Sequence, residues 1–138
     1  MRVMVLVKAS EDSESGRMPT TSNLAAMVAF NEELVQGGVM VAGEGLHPSA
    51  KGVRVRFCGD DRTVLDGPFP RVEELVAGFW IWQVGSLQEA VEWLRQAPFE
   101  DGAVVEVRPL LEDDDFGDAL TPELRQAEER MREQVAGR

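Results

Sequence analysis

Residues Arg62 to Val84, RTVLDGPFPRVEELVAGFWIWQV, cannot run as one continuous element. Asp66, Gly67, Pro68 and Pro70 separate a short β-branched run from the most aromatic segment of the chain. Glycine reaches positive φ, and each proline removes a donor and biases the residue before it away from helix. A turn therefore stands between two strands, with a carboxylate at its entry. Asp66 either caps its own loop as an Asx-turn or is held out by the loop for chemistry.

The rest of the chain arranges itself around that turn. Val3 to Val7 is an apolar run suited to a strand buried on both faces. Thr20, Thr21 and Ser22 are candidate N-caps for a helix with Leu24, Met27, Val28, Leu34 and Val35 on one side, ended by Gly37-Gly38. A short strand, Val39 to Ala42, leads to the loop Gly43-Glu44-Gly45-Leu46-His47-Pro48. Val53, Val55 and Phe57 alternate with Arg54, Arg56 and Cys58, the period of a half-exposed strand. Gly59-Asp60-Asp61 turns that strand into Thr63 to Leu65, which delivers Asp66. Arg71 to Val76 reads equally as one helical turn or a continued loop, and Phe79 to Val84 as a strand with large apolar groups on both faces. Ser86 and Glu89 form a capping-box pattern ahead of Leu87, Ala90, Val91 and Leu94. Ala103 to Val107 is the last strand. An acidic connector, Glu112 to Asp118, precedes a terminal helix with Thr121 at its N-cap and Pro122 at its first position.

This order predicts an α+β fold, a sheet with helices on one face, over residues 1–111, followed by a connector and extra helix over 112–138. Helices cover one face only, while the two-sided strands ask for cover on both. Trp80 and Trp82 left in water would make an apolar patch of the kind that marks an interface. A homodimer packed sheet to sheet is the expectation, with the tail helix folding over that face as the competing solution.

The totals exclude several classes. A length of 138 residues suits one domain. A single cysteine and a single histidine cannot build a Cys/His zinc site, no metal or cofactor is indicated, and the lone cysteine fits a reducing compartment. A net charge of −11 repels phosphate backbones and anionic membrane surfaces, so neither nucleic acid nor membrane is an expected partner. The start lacks a secretory pattern, and a cytoplasmic location is expected.

Imidazole is the side chain that titrates near neutral pH, and a carboxylate beside it would orient it as a general base. His47 is therefore the candidate base, against the plainer reading of a solvated loop histidine. Arg54 and Arg56 share a strand face that can receive a carboxylate or pair with local acids. Trp80 either lines a ligand pocket or, as the default, fills an interface or the core. Cys58 reads as a small buried or half-buried residue, with no neighbour in sequence to activate it. Asp113, Asp114, Asp115 and Asp118 lack EF-hand spacing, because the closing position is Leu124, and read as a solvated connector.

The string Val64-Leu65-Asp66-Gly67-Pro68-Phe69 resembles the DGPF branch of the YCII-related family. Gly78-Phe79, Ser86-Leu87-x-Glu89-Ala90-x-Glu92-Trp93, Gly43-Glu44-Gly45-Leu46-x-Pro48, the opening MRVMVLVKAS and Val105-Glu106-Val107-Arg108-Pro109 fit the same branch. The resemblance implies a ferredoxin-like domain that dimerises into an α+β barrel. It also implies a cleft with a histidine and an aspartate, carried here by His47 and Asp66. After Phe69 the chain departs from the branch: Pro70-Arg71-Val72-Glu73-Glu74 lacks the usual lysine, for which Arg71 is the candidate replacement. The expected function is acid/base chemistry on a small organic molecule, of lyase, isomerase or dehalogenase type. A non-catalytic small-molecule-binding or regulatory homodimer is the alternative.

Overall fold

The computed structural model describes residues 1–138. Six strands and four helices follow in the order β1 (Arg2–Lys8), α1 (Glu11–Glu14), α2 (Thr21–Gln36), β2 (Met40–Gly45), β3 (Val53–Cys58), β4 (Asp61–Asp66), β5 (Val76–Gln83), α3 (Leu87–Leu94), β6 (Val105–Pro109) and α4 (Pro122–Ala136). Four strands form one antiparallel sheet in the order β2-β5-β1-β6, and β3-β4 is a separate hairpin. Two βαβ halves, β1-α2-β2 and β5-α3-β6, thus share a ferredoxin-like sheet, with the hairpin inserted between them. No helix is long and apolar enough to cross a membrane.

The period of two decides the core. β1 and β5 pair Val3 with Trp82, Val5 with Trp80 and Val7 with Gly78, so these side chains share one face. Phe30 and Leu34 of α2 and Ala90 of α3 pack on that face with Val3, Val5, Trp80 and Trp82. Trp80 is 5% exposed and Trp82 fully buried. The expectation that the tryptophans face an open side is therefore corrected: Phe79 and Ile81, with Met4 and Leu6, hold the opposite face, half-buried and outside the core cluster. Strand alternation named the two sets, and only pairing with β1 told which set lies under the helices.

Helix α2 starts where expected, with the Thr20 hydroxyl accepting from the Asn23 amide. Its inward line is Met27, Phe30 and Leu34, whereas Leu24, Val28 and Val35 are exposed. The apolar residues of α2 are spread too widely around its axis for sequence to fix the buried stripe. In α3 the Ser86 hydroxyl accepts from the Glu89 amide, while the Glu89 carboxylate reaches back to the Gly85 amide rather than to Ser86. Strand β5 begins at Val76, three residues ahead of Phe79, and Val72–Glu74 is a 3-10 turn. Cys58 is exposed rather than buried, because β3 has no layer packed on either face.

The acidic connector is not simply solvated. It forms a 3-10 turn, Asp113–Ala119, and the Asp113 side chain is only 18% exposed. Arg132 of α4 donates to both Asp113 oxygens at 2.8 and 3.3 Å, and Arg125 stands 3.6 Å away. The Arg132 hydrogen bonds hold the Asp113 carboxyl below its usual value of about 3.8, against the opposing effect of burial and with help from the Arg132 and Arg125 charges. A carboxyl depressed in the fold contributes stability above its unfolded value and loses it as pH falls through the lower folded one. The α4 amides are accordingly expected to keep their hydrogen-exchange protection above about pH 4 and to lose it in more acidic solution. In Asp113→Asn that acid step should be absent; an unchanged step would mean that another group anchors the helix.

Candidate functional site

Two loops carry the residues that the sequence singled out, and one side chain joins them. Ser49 follows His47 and Pro48 and opens the short 3-10 turn Ser49–Lys51. Its hydroxyl accepts from the Phe69 amide at 3.0 Å and donates to the Glu14 carboxylate. The Ser49 amide donates to the second Glu14 oxygen at 3.0 Å. Glu14 comes from α1, whose N-terminus is closed by reciprocal Ser10 and Ser13 contacts. The polar stretch after β1 therefore supplies an anchor that sequence reading missed. Ser10-x-x-Ser13 was its one visible signal, a weak variant of the capping box.

The turn seats closely on this anchor. The Gly67 amide donates to the Gly52 carbonyl at 3.0 Å. A Cβ on Gly67 would lie 1.7 Å from the Ser49 carbonyl oxygen, so only glycine fits. The guanidinium of Arg54 covers the Phe69 ring at 4.0 Å. The Gly67–Pro68 bond is cis, and Arg71, at φ 62°, turns the chain toward β5 with its side chain on Glu74 at 3.1 Å.

His47 and Asp66 are thus on loops joined through Ser49 and Gly67. Both side chains are exposed, and neither has a hydrogen-bond partner within the chain. Arg56 is exposed on the hairpin beside Arg54. Of the five, Arg54 alone is engaged with the turn, by stacking on Phe69, and Arg71 belongs to a local ion pair.

A pocket opens on the helix side of the sheet, short of the His47 loop. Its floor is made of residues without side chains. The register sets Gly43 opposite Trp80 and Gly45 opposite Gly78, and Gly78 also opposes Val7 of β1. Gly43, Gly45 and Gly78 therefore all face the helices. A Cβ on Gly43 would meet the Trp80 ring at 2.5 Å, whereas one on Gly45 would meet nothing within 4 Å. The space left is about 280 Å³, walled by Met27, Asn31, Trp80 and Phe99. That is the lower end of the range for small-molecule sites. Trp80 and Phe99 meet edge to face at 6.0 Å. The Trp80 indole N–H donates to the Asn31 side-chain oxygen at 2.9 Å. The Leu46 amide donates to the Ala77 carbonyl at 2.8 Å, which ties the start of the His47 loop to the pocket floor.

The arrangement can hold a compact, largely apolar molecule against two aromatic walls, with one amide side chain to orient it. No Lys, Arg or His lines the pocket, so nothing there offsets the desolvation of an anion. Trp80 belongs to the core cluster and also lines this pocket.

No curated protein matches this chain. A solved structure of 5-chloro-2-hydroxyhydroquinone dehydrochlorinase from Burkholderia phenoliruptrix AC1100, in complex with 2,5-dihydroxybenzoquinone, is similar at 17% identity and a TM-score of 0.39, over 77% of this chain and 91% of that one. The family comparison is broader: the model of the YCII-related domain matches residues 1–113, from β1 through the strand that closes the sheet and into the acidic turn. With its ferredoxin-like sheet and its Asp66-Gly67-Pro68-Phe69 turn seated on Ser49, the chain belongs to the YCII-related family.

Proposed function

We propose that this protein binds a small, uncharged ring compound in the glycine-floored pocket between α2 and the β2–β5 edge of the sheet. The observation that carries this reading is the conjunction of Gly43, Gly45 and Gly78 on the helix-facing side. Gly43 admits the Trp80 ring, and the paired Gly45 and Gly78 beyond it leave a hole where a packed sheet would have apolar residues.

The working unit is a homodimer closed over the open sheet face. The chain exposes 10157 Å², against about 7,100 Å² for a compact monomer of its size. An excess of about 3,000 Å² is more than one subunit gives up in an ordinary homodimer interface. Met4, Leu6, Phe79 and Ile81 form the apolar part of that face. Cys58, exposed and free, suits a reducing cytoplasm. Residues past the matched region, from Asp114 through α4, act as an appended segment.

A catalytic version of this reading has support from the Ser49 clamp. Glu14, Ser49 and Gly67 hold the loop of His47 against the turn of Asp66 at the end of β4. In that version His47 is the base and Asp66 its orienting carboxylate when a ligand closes the loops, since catalytic hydrogen bonds often tighten only in the complex. Without it, the same pocket serves a binding or regulatory dimer.

The test is an amide chemical-shift titration with phenol, catechol and acetophenone. Shifts are expected at Met27, Asn31, Gly45 and Gly78. Gly45→Leu puts a side chain into open space, so it should fill the pocket without unfolding the sheet and weaken binding more than about tenfold. Shifts centred elsewhere, or affinity retained in Gly45→Leu, would remove the pocket from the proposal.

A further inference from the structure

The indole N–H of Trp80 can only donate, and its partner at 2.9 Å is the Asn31 side-chain oxygen. That contact fixes which end of the amide is which. The Asn31 nitrogen must point away from the indole, and its two N–H donors have no partner within the chain. Asn31 itself lines the pocket, across from the glycine floor and beside the Trp80 wall. Those donors still reach solvent in the open pocket, so a ligand that covers them must supply an acceptor in place of water or leave them unpaired at a cost, and the site selects one that does.

We propose that Asn31 is the residue that sets ligand specificity, and that the pocket takes an uncharged aromatic carbonyl compound whose oxygen accepts from the Asn31 amide. This rests on the pocket reading above and adds the chemical class. Three features define the class. The aromatic walls of Trp80 and Phe99 favour a ring. The volume of about 280 Å³ limits the ligand to roughly one ring with a short substituent. A lining without Lys, Arg or His, in a chain of net charge −11, disfavours a carboxylate. The position of Asn31 on α2, one residue past the buried Phe30, makes this a rigid donor rather than a loop group.

The experiment compares acetophenone with α-methylstyrene, which replaces the carbonyl oxygen by a methylene group at nearly the same shape, and with benzoate. Dissociation constants are read by chemical-shift titration in the intact protein and in Asn31→Asp. The aspartate keeps an oxygen for the Trp80 indole but has no N–H to offer. In the unmodified protein, acetophenone is expected to bind about five- to tenfold tighter than α-methylstyrene, the yield of one net hydrogen bond. Benzoate is expected to bind more weakly than acetophenone.

In Asn31→Asp the ratio of acetophenone to α-methylstyrene affinity should fall to one or below, while α-methylstyrene binds as before. Unchanged α-methylstyrene binding also reports that the variant is folded. If both neutral probes bind at the pocket with equal affinity, or if Asn31→Asp keeps the preference, the specificity assignment is overturned and the pocket reading stands. If neither shifts the pocket resonances, both fall together. Should Asn31→Asp be too unstable to titrate, Asn31→Leu, which retains the helix but has no polar atom, must give the same loss of preference.

Discussion

Gly67→Ala is expected to lower the melting temperature by about 10 °C. The Cβ it adds would stand 1.7 Å from the Ser49 carbonyl oxygen and 2.7 Å from its carbon, and both are backbone atoms that no rotamer change can clear. Relief requires the turn to lift off, which breaks the Gly67 amide bond to Gly52 and the Phe69 amide bond to the Ser49 hydroxyl. Overpacking of this kind costs about 3 kcal/mol, and in a chain of this length each kcal/mol is worth about 4 °C. Gly45→Ala is the control. It adds the same methyl group where nothing lies within 4 Å, so its melting temperature should move by no more than about 2 °C. A stable Gly67→Ala protein would mean that the turn does not rest on Ser49. Because Asp66 moves with the turn, the variant should also shift the His47 ring resonances, and any proton transfer that needs the two loops together should be lost.

Trp82→Ala should produce the largest loss in the core, about 4 kcal/mol. Trp82 is fully buried, opposite Val3 on β1 and Met40 on β2, with Phe30 6.4 Å away between ring centres. Its indole nitrogen is buried with no hydrogen-bond partner. That orphan donor gives the prediction a second arm. Phenylalanine loses some contact area but no longer buries an unsatisfied N–H, whose desolvation costs about 1–3 kcal/mol. Trp82→Phe is therefore expected to cost less than half as much as Trp82→Ala in urea unfolding, with the same dependence on denaturant in both. Alanine removes the orphan N–H as well, so the difference between the two variants reports contact area; a Trp82→Phe loss above about 2 kcal/mol would contradict the orphan nitrogen, whose relief should offset the lost contacts.

The family and the fold were legible because they rest on local and periodic features. Alternation in Val53 to Phe57, the caps at Thr20, Ser86 and Thr121, and the break at Asp66-Gly67-Pro68 depend on neighbours within a few residues. Their order was enough to give an α+β sheet with helices on one face. The Asp66 turn, with Gly67 shaping it, was also visible, since a glycine between an acid and a proline has few alternatives.

Three features were decided only when the strands paired. Sequence gives β5 two apolar faces, and the register with β1 put Trp80 and Trp82 under α2 and left Phe79 and Ile81 on the open side. Gly43 and Gly45 lie 35 and 33 residues before Gly78 in the chain, and antiparallel pairing of β2 with β5 brings all three to one floor. The Glu14–Ser49 contact spans 35 residues and has no local signature, because a carboxylate and a hydroxyl at that separation are unremarkable until the chain folds. Local chemistry determined which segments exist and where they stop. Long-range register decided which side chains meet, and hence where this protein has a pocket, what lines it, and what holds the loop of His47 to the turn of Asp66.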